Sequence, residues 1–326
     1  MKILSISVAA YNMERLIRQN LDSFVKSKYA DEIEVLVIND GSKDSTPEIA
    51  HEYELKYPGT VKLINQENAG PGSTVNRGID NACGKYFRMV DADDWVGEGF
   101  DRYVEQLKSC DADMVISNYI CVDDKTGKTE KHIGCELPEG ETVDFNGVCR
   151  SLPLEMHAVT FKTEILKQNN IRLFNGFYTD IQYLLFPSPW IKTVMYADCD
   201  VYMYRVSLSG QSMSAASMQR NIGQHDDMLF SIVELYNRVK DSQPEIAEYI
   251  LEKLVYISGT ELGTWLSFEP SKENKNRLFD YIARLKAKCP EAYEQFSKYK
   301  TARVLRLFDG AMYPVVCRMH RKKIGL

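Results

Sequence analysis

Apolar and polar positions along the first third of the chain alternate between two periods. "ILSISVAA" reads as a buried strand, and "MERLIRQNLDSFVKS" follows with Met13, Leu16, Ile17, Leu21, Phe24 and Val25 at helical spacing. "IEVLVIND" predicts a second strand and "VKLINQ" a third. Between them "STPEIAHEYELKY" carries a helix start, with Ser45 and Glu48 at capping-box spacing and Pro47 suited to a first turn. "GSTVNRGIDNAC" reads as a helix stopped near Gly84, and "KYFRMV" as a fourth strand. Strands alternating with helices at this spacing imply βαβ units and a parallel sheet.

Further along, "ADMVISNYICVDDKTGKTEKHIG" predicts a strand, a polar turn and a returning strand. "FKTEILKQNNI" predicts a short helix with Thr163 as its cap. "FYTDIQYLLFPSPW" predicts a helix beginning near Asp180 and stopped by Pro187 and Pro189; "KTVMYADCDVYMYRV" is β-rich. From residue 218 onward the pattern becomes that of successive amphipathic helices. The expected organisation is an α/β domain over residues 1–217, divided into halves 1–110 and 111–217, and a helical region over 218–326.

Length and composition fit a soluble globular protein: 326 residues, 44% hydrophobic and 26% charged. A formal net charge of −6 argues against nucleic acid as the main partner, since phosphate backbones need a basic footprint. The eight cysteines show no C-x-x-C pair and several lie in apolar runs, as expected of reduced, mostly buried thiols in a cytoplasmic protein without a zinc site. The opening segment reads as a first strand, not a signal peptide. No apolar run approaches the roughly 18 residues of a transmembrane helix.

In parallel sheets of this kind ligands bind beyond the carboxyl ends of the strands. "AAYN", "NDGSKD", "NQENAGPG" and "DADD" follow strands one to four, so all four loops should share one rim. In the last, Asp91, Asp93 and Asp94 crowd like charges at the end of a buried strand. Two readings suit them: an Asp-rich helix N-terminus favoured by the dipole, or a site for a hard divalent cation. "NDGSKDST" offers Asp40 for a nucleobase N–H and Gly41 for close ligand approach; its structural alternative is an Asx-type turn. "NAGPGSTVNRG" opens a helix and can present N–H groups to phosphate. It is not a dinucleotide fingerprint, which argues against a nicotinamide-dependent oxidoreductase.

Together these motifs resemble family 2 inverting glycosyltransferases of the GT-A fold, of the kind that build bacterial surface polysaccharides. The "P-x-Y-N"-like turn appears as "AAYN", with Ala9 at the proline position. The "D-D-G-S-x-D-x-T" element appears as "NDGSKDST", with Asn39 for the first acid and Asp40 kept. "N-x-G-x-x-x-A-R-N-x-G" appears as "NAGPGSTVNRG", matching at Asn68, Gly70 and Gly78, with Val75, Asn76 and Arg77 at the A-R-N positions. "D-x-D-D" is intact as Asp91, Asp93 and Asp94. More weakly, "FYTDIQ" fits the family's "E-D" pair, with Thr179 for the Glu and Asp180 kept, and "YMYRVSLSGQSMS" fits "Y-x-Y-R…S-x-S".

The resemblance implies a Rossmann-like, mostly parallel sheet flanked by helices and followed by a helical C-terminal region. It implies transfer of a sugar from a nucleotide-sugar, UDP favoured, to a hydroxyl of a saccharide or lipid-linked saccharide. Asp180 is the implied catalytic base and Asp93 the ligand of Mn²⁺ or Mg²⁺. Asp91 is expected at the ribose or in the metal's outer shell, and Ala9, Tyr11, Asn12, Asp40, Asn68, Asn76 and Arg77 at the nucleotide. Arg205, Ser212 and Ser214 would reach phosphate or acceptor groups. The departures at Ala9, Asn39 and Thr179 leave a second possibility, an inactive nucleotide-sugar-binding regulatory or assembly protein. His157, His225, Asp226 and Asp227 are read as helix caps and a solvated face. The tail from residue 301 sets Arg303, Arg306, Arg318, Arg321, Lys322 and Lys323 against Asp309 alone. It suits either a solvated helix end or peripheral contact with anionic lipid at the inner face of the membrane.

Overall fold

The first strand, β1 (Leu4–Ala10), is buried on both faces, with Ser5 and Ser7 as inaccessible as Leu4, Ile6 and Val8. Such two-sided burial is what a parallel sheet covered by helices requires. In this computed structural model, which describes residues 2–152, 155–174, 178–207, 215–308 and 310–326, β1 is followed by α1 (Ile17–Val25), β2 (Ile33–Asp40), α2 (Thr46–Lys56), β3 (Val61–Gln66), α3 (Pro71–Asn81) and β4 (Tyr86–Asp91). Then come β5 (Trp95–Val96), α4 (Phe100–Ser109), β6 (Met114–Asp123), β7 (Thr129–His132), β8 (Thr142–Asp144), α5 (Phe145–Val148), β9 (Val159–Lys162), α6 (Thr163–Gln168), α7 (Thr179–Leu185) and β10 (Thr193–Val206).

One sheet runs in the order β3-β2-β1-β4-β9-β6-β10-β5, with β7 beside β6 and β8 beside β10. β3, β2, β1 and β4 are mutually parallel, as are β6 and β10; β9 joins the two groups antiparallel to both. β6 and β7 form the expected strand, turn and return, pairing Tyr119 with His132. α3 lies tight on the sheet at Gly78, where an added Cβ would sit 2.1 Å from Ser7 Oγ. The core beneath gathers Leu4, Ile6, Val8, Val35, Val37, Val90 and Tyr202 with α1's Leu21 and Phe24 and α4's Tyr103 and Leu107.

Two expected caps form differently. Ser45 makes no side-chain cap bond; Asp44 Oδ1 instead accepts from Thr46 N at 3.0 Å and from Thr46 Oγ1 at 2.6 Å. Asp44 reaches the first turn from one residue further back and so displaces the capping box. Thr163 already lies within α6, with Lys162 at the cap position and no side-chain cap bond. Six of the eight cysteines are buried.

The chain packs as two units, Met1–Asn175 with Thr179–Ser209, and Gly176–Tyr178 with Gly210–Leu326. The second contains α8 (Ala215–Arg220), α9 (Ile222–Val239), α10 (Pro244–Ser267), α11 (Lys272–Lys288), α12 (Pro290–Phe296), α13 (Lys300–Leu307) and α14 (Tyr313–Lys323). α10 is its centre, burying Ile250, Leu254, Ile257, Trp265 and Leu266 against its neighbours. Here the reading of residues 225 and 226 as caps or solvated face is overturned. His225 is fully inaccessible, with Nδ1 3.3 Å from the equally buried Glu261 and its ring edge-on to Tyr178 at 5.1 Å. Asp226 is mostly buried and pairs with Arg284 at 3.2 Å. Helical periodicity turns both residues inward with Leu229 and Ile232, which the charged sequence "QHDD" conceals.

Candidate active site

Parallel register carries the strand ends to one rim. Ala9 pairs with Asp91, Ala10 with Asn39, Asn39 with Asn65, and Asp40 with Gln66. The loops beyond are tied by side chains. Asp40 is buried, its Oδ1 accepting from Ala69 N at 2.9 Å and Gln66 Nε2 at 2.7 Å, its Oδ2 from Gly70 N at 2.9 Å. Asn68 Nδ2 returns a bond to Asp40 O at 2.9 Å. Gly41, at φ +71°, lets the two loops touch: a Cβ there would sit 2.9 Å from Asn68 N. Asn12, at φ +56°, accepts from Lys43 N at 2.8 Å, and its own N–H donates to Ser42 Oγ at 3.0 Å. Asn39, where the family has an acid, donates to Asn65 Oδ1 at 2.8 Å and accepts from Ser42 N at 3.1 Å. An amide can do both; a carboxylate could only accept. Tyr11 is exposed at this rim.

Asp91, Asp93 and Asp94 offer carboxylate oxygens that all lie within 4.8 Å of one another. Their backbone is held from below by Asn20, whose Nδ2 donates to Asp91 O at 3.1 Å and Asp94 O at 2.8 Å. Asp94 is the enclosed member: Tyr202 Oη donates to its Oδ2 and Arg205 N to its Oδ1, each at 2.7 Å. Burial, then the charges of Asp91 and Asp93, push Asp94 up to about 8. Burial also raises Asp93. Asp91 is pushed up to about 7 by burial, then by the charges of Asp93 and Asp180. That last influence brings Asp180 to the site. It opens α7, reached by solvent yet surrounded by enough protein that desolvation raises its pKa.

Asp91 and Asp93 fit a hard divalent cation. They supply oxygen donors, they repel one another in a poorly hydrated setting, and the adjacent guanidinium is already committed elsewhere. That guanidinium belongs to Arg205, which was expected at phosphate or acceptor groups and which the structure sets against protein partners. It is buried, with Nε on Asp93 O at 2.8 Å, Nη1 on Asp124 and Nη2 on Gln19 Oε1 at 2.6 Å, and it stacks over Trp95 at 4.7 Å. It braces the acidic turn. Asn76 is likewise committed: its amide donates to Leu173 O at 2.8 Å and accepts from Leu173 N at 2.9 Å. Gln182 accepts from Phe174 N at 2.6 Å, so Asn76 and α7 together hold Leu173 and Phe174. Arg77 is exposed on α3. Ser212 and Ser214 lie outside the described residues.

Several residues escape sequence reasoning. Tyr202 donates to Asp94 and accepts from Asp91 N at 3.1 Å. Arg88, fully buried in β4, donates to Ser117 Oγ at 3.1 Å, to Thr160 Oγ1 at 3.2 Å and to His157 O. His157 is no cap: its ring stacks on Tyr204 at 4.1 Å and meets Tyr202 edge-on at 4.9 Å, and burial pushes its pKa down to about 3. A charge inside an apolar strand, Arg88, and tyrosines two apart, Tyr202 and Tyr204, were the available signals.

Residues 5–167 match the family described as glycosyl transferase family 2. EpsH of Bacillus subtilis (strain 168), provisionally described as a glycosyltransferase, is 27% identical over 91% of this chain and 86% of its own length. The poly(ribitol-phosphate) beta-glucosyltransferase of Bacillus spizizenii is 26% identical over 90% of this chain; the match spans 46% of that protein. Among solved structures, S. aureus TarS 1-349, including its complex with UDP-GlcNAc, superposes with TM-score 0.64 at 19% identity, over 99% of this chain and 92% of that one. That likeness speaks to the fold, a GT-A sheet followed by helices. With half of its length matched by the family and its motif acids gathered at one sheet edge, the chain belongs to glycosyl transferase family 2.

Proposed function

We propose that the protein is a divalent-cation-dependent, inverting transferase that moves a sugar from a UDP-sugar to an acceptor hydroxyl in surface polysaccharide or glycoconjugate synthesis. The observation that carries this reading is the gathering of the Asp91, Asp93 and Asp94 carboxylates within 4.8 Å of one another at the carboxyl ends of the parallel strands, with Asp180 near enough for its charge to raise Asp91. The names of relatives, a poly(ribitol-phosphate) beta-glucosyltransferase and a structure in complex with UDP-GlcNAc, support the substrate class.

In this reading Tyr11 offers a stacking face to the base. The Asp40-organised loop, with Asn12, Asn68 and Ala9, shapes the nucleotide cradle, and Asp91 approaches the ribose. Asp93 would hold Mn²⁺ or Mg²⁺, which would neutralise the charge developing on the leaving diphosphate. Asp180 accepts the proton of the acceptor hydroxyl as its oxygen attacks the anomeric carbon. The bond from that carbon to the β-phosphate oxygen breaks, its electron pair leaves with UDP, and single displacement inverts the centre. The raised pKa of Asp180 makes it a stronger base than an ordinary carboxylate.

The test is nucleoside diphosphate release from UDP-glucose, UDP-galactose, UDP-N-acetylglucosamine and GDP-mannose, with Mn²⁺, Mg²⁺ or EDTA. Cation-dependent UDP release is expected. Turnover indifferent to EDTA would remove the metal role of Asp93. UDP binding with no release from any donor would favour the regulatory alternative.

No helix among the described residues is long and apolar enough to cross a membrane. A peripheral contact is proposed at α14, where exposed Val315 and Met319 share a face with Arg318 and Lys322 at helical spacing. Deleting the tail would strip buried Leu305, Tyr313, Val316 and Cys317 from the core, so substitution is the better probe.

A further inference from the structure

Sheet order sets β9, β6 and β10 on the opposite side of β4 from β1, β2 and β3, whose loops are read as the nucleotide cradle. On that opposite side the strands carry a row of aromatic rings. Tyr119 of β6 pairs with Tyr202 of β10 and with His132 of β7, and Tyr204 stands two residues beyond Tyr202 on the same face. Tyr202 bonds Asp94 Oδ2 at 2.7 Å, so Tyr204 continues that face outward from the acids. The turn Met156–Ala158 fills the middle of the row. Its His157 stacks on Tyr204 at 4.1 Å and meets Tyr119 at 5.3 Å, while His132 stacks on Tyr119 at 4.7 Å. The same turn packs against α7, which Asp180 opens. Tyr119 and Tyr204 are half-buried. Unlike the hydroxyl of Tyr202, theirs have no hydrogen-bond partner among the described residues, and both reach the surface.

We propose that Tyr119 and Tyr204 select the acceptor: their hydroxyls bond those of an uncharged pyranose, which the row seats beside Asp180. A phenol both donates and accepts, as a sugar hydroxyl does, and the ring rims offer the sugar's C–H edges an apolar floor. Burial, then the charge of Glu155, pushes Tyr119 up to about 12; burial, then the charges of Asp94, Asp91 and Asp93, does the same for Tyr204. Both hydroxyls therefore keep their protons at neutral pH, and both stand among acids, where an anionic acceptor is repelled. The guanidiniums beside the row offer a phosphate little. Arg88 and Arg205 are buried and spend their Nη groups on Ser117, Thr160 and the His157 carbonyl, and on Asp124 and Gln19. An uncharged sugar ring fits these surroundings better than a polyol phosphate. That the bound sugar is the acceptor rests on the proposed transferase function; that the row takes an uncharged saccharide does not.

Saturation-transfer NMR on the 326-residue chain, held in saturating UDP and Mn²⁺, tests this with cellobiose, lactose, N,N′-diacetylchitobiose and ribitol 5-phosphate as probes. At least one disaccharide should receive saturation, and ribitol 5-phosphate should receive none. Tyr119→Phe with Tyr204→Phe keeps the rings and their packing and removes only the hydroxyls. It should weaken disaccharide binding about tenfold, with UDP affinity by calorimetry unchanged. The proposal is overturned if no disaccharide receives saturation, if ribitol 5-phosphate receives as much, or if the double variant binds as the wild type does. A parallel loss of UDP affinity would overturn it too, by setting the two hydroxyls at the donor. Absence of UDP release from every donor would sink the transferase reading while leaving the saccharide result standing.

Discussion

The molecule buries acids in two places and treats them differently. At the sheet edge, Asp91, Asp93 and Asp94 lie within 4.8 Å of one another, and Asp180 adds its charge to theirs. The nearest guanidinium, Arg205, spends its donors on Asp93 O, Asp124 and Gln19. In the helical unit each buried acid has a basic neighbour: Asp226 has Arg284 at 3.2 Å and Glu261 has His225 at 3.3 Å. Burial raises the pKa in both places, but one cluster concentrates repulsion while the other pairs it off. Crowded acids whose neighbouring guanidinium bonds other groups are the arrangement that an incoming cation relieves; paired acids are part of the packing.

The largest expected effect separates the two groups by chemistry. Asp93→Asn and Asp180→Asn should each lower UDP-sugar turnover by about a thousandfold. Asp180→Asn should leave UDP affinity unchanged by calorimetry. Asp226→Asn should leave turnover near wild type. Equal losses from all three would erase the distinction.

The next test reads pH. Asp226 is pushed up to about 6 from 3.8 by burial, then by the charge of Glu261. The folded chain therefore binds more protons than the unfolded one between those values, so this group's contribution to stability falls as pH rises through that window and is constant above it. Asp226→Asn should flatten the change in unfolding free energy between pH 4 and pH 7 by about 2 kcal/mol. Identical slopes in variant and wild type would show Asp226 to be hydrated.

A smaller effect should follow addition of cation. Millimolar Mn²⁺ should raise the unfolding free energy by about 1–2 kcal/mol, seen as a few degrees in Tm, with no rise in Asp93→Asn and an unchanged rise in Asp226→Asn. The smallest concerns the tail. Arg318→Glu with Lys322→Glu should weaken co-sedimentation with phosphatidylserine vesicles, by about 1 kcal/mol per charge removed. Equal sedimentation of variant and wild type would return α14 to a solvated face.

Legibility in the sequence tracked the range of the interaction responsible. β1 to β4 are written in local apolar runs, and their loops fall on one rim because parallel strands all point the same way. So Asp91, Asp93 and Asp40 could be placed at the carboxyl-end rim of the sheet from the chain alone. Asp44 taking the cap from Ser45 was not legible, because two residues with suitable oxygens stand side by side and only the loop's path chooses between them. The protein partners of Arg205 and Asn76 were not legible, because a side chain's partner depends on residues far away in sequence, Asp93 and Gln19 for one and Leu173 for the other.

Periodicity and motif order thus determined, without coordinates, that a βαβ sheet precedes a helical region and that acids gather at the carboxyl ends of its strands. Only the tertiary structure decided which acid is enclosed and which is open. Asp94 is sealed by Tyr202 and the Arg205 backbone from β10, more than a hundred residues away, while Asp91 and Asp93 keep faces toward solvent. Tertiary packing also turned "QHDD" inward, making His225 and Asp226 parts of a core. Local sequence sets which groups a segment carries and how they repeat; desolvation and pairing, which set what those groups can do, arise only when distant segments close over them.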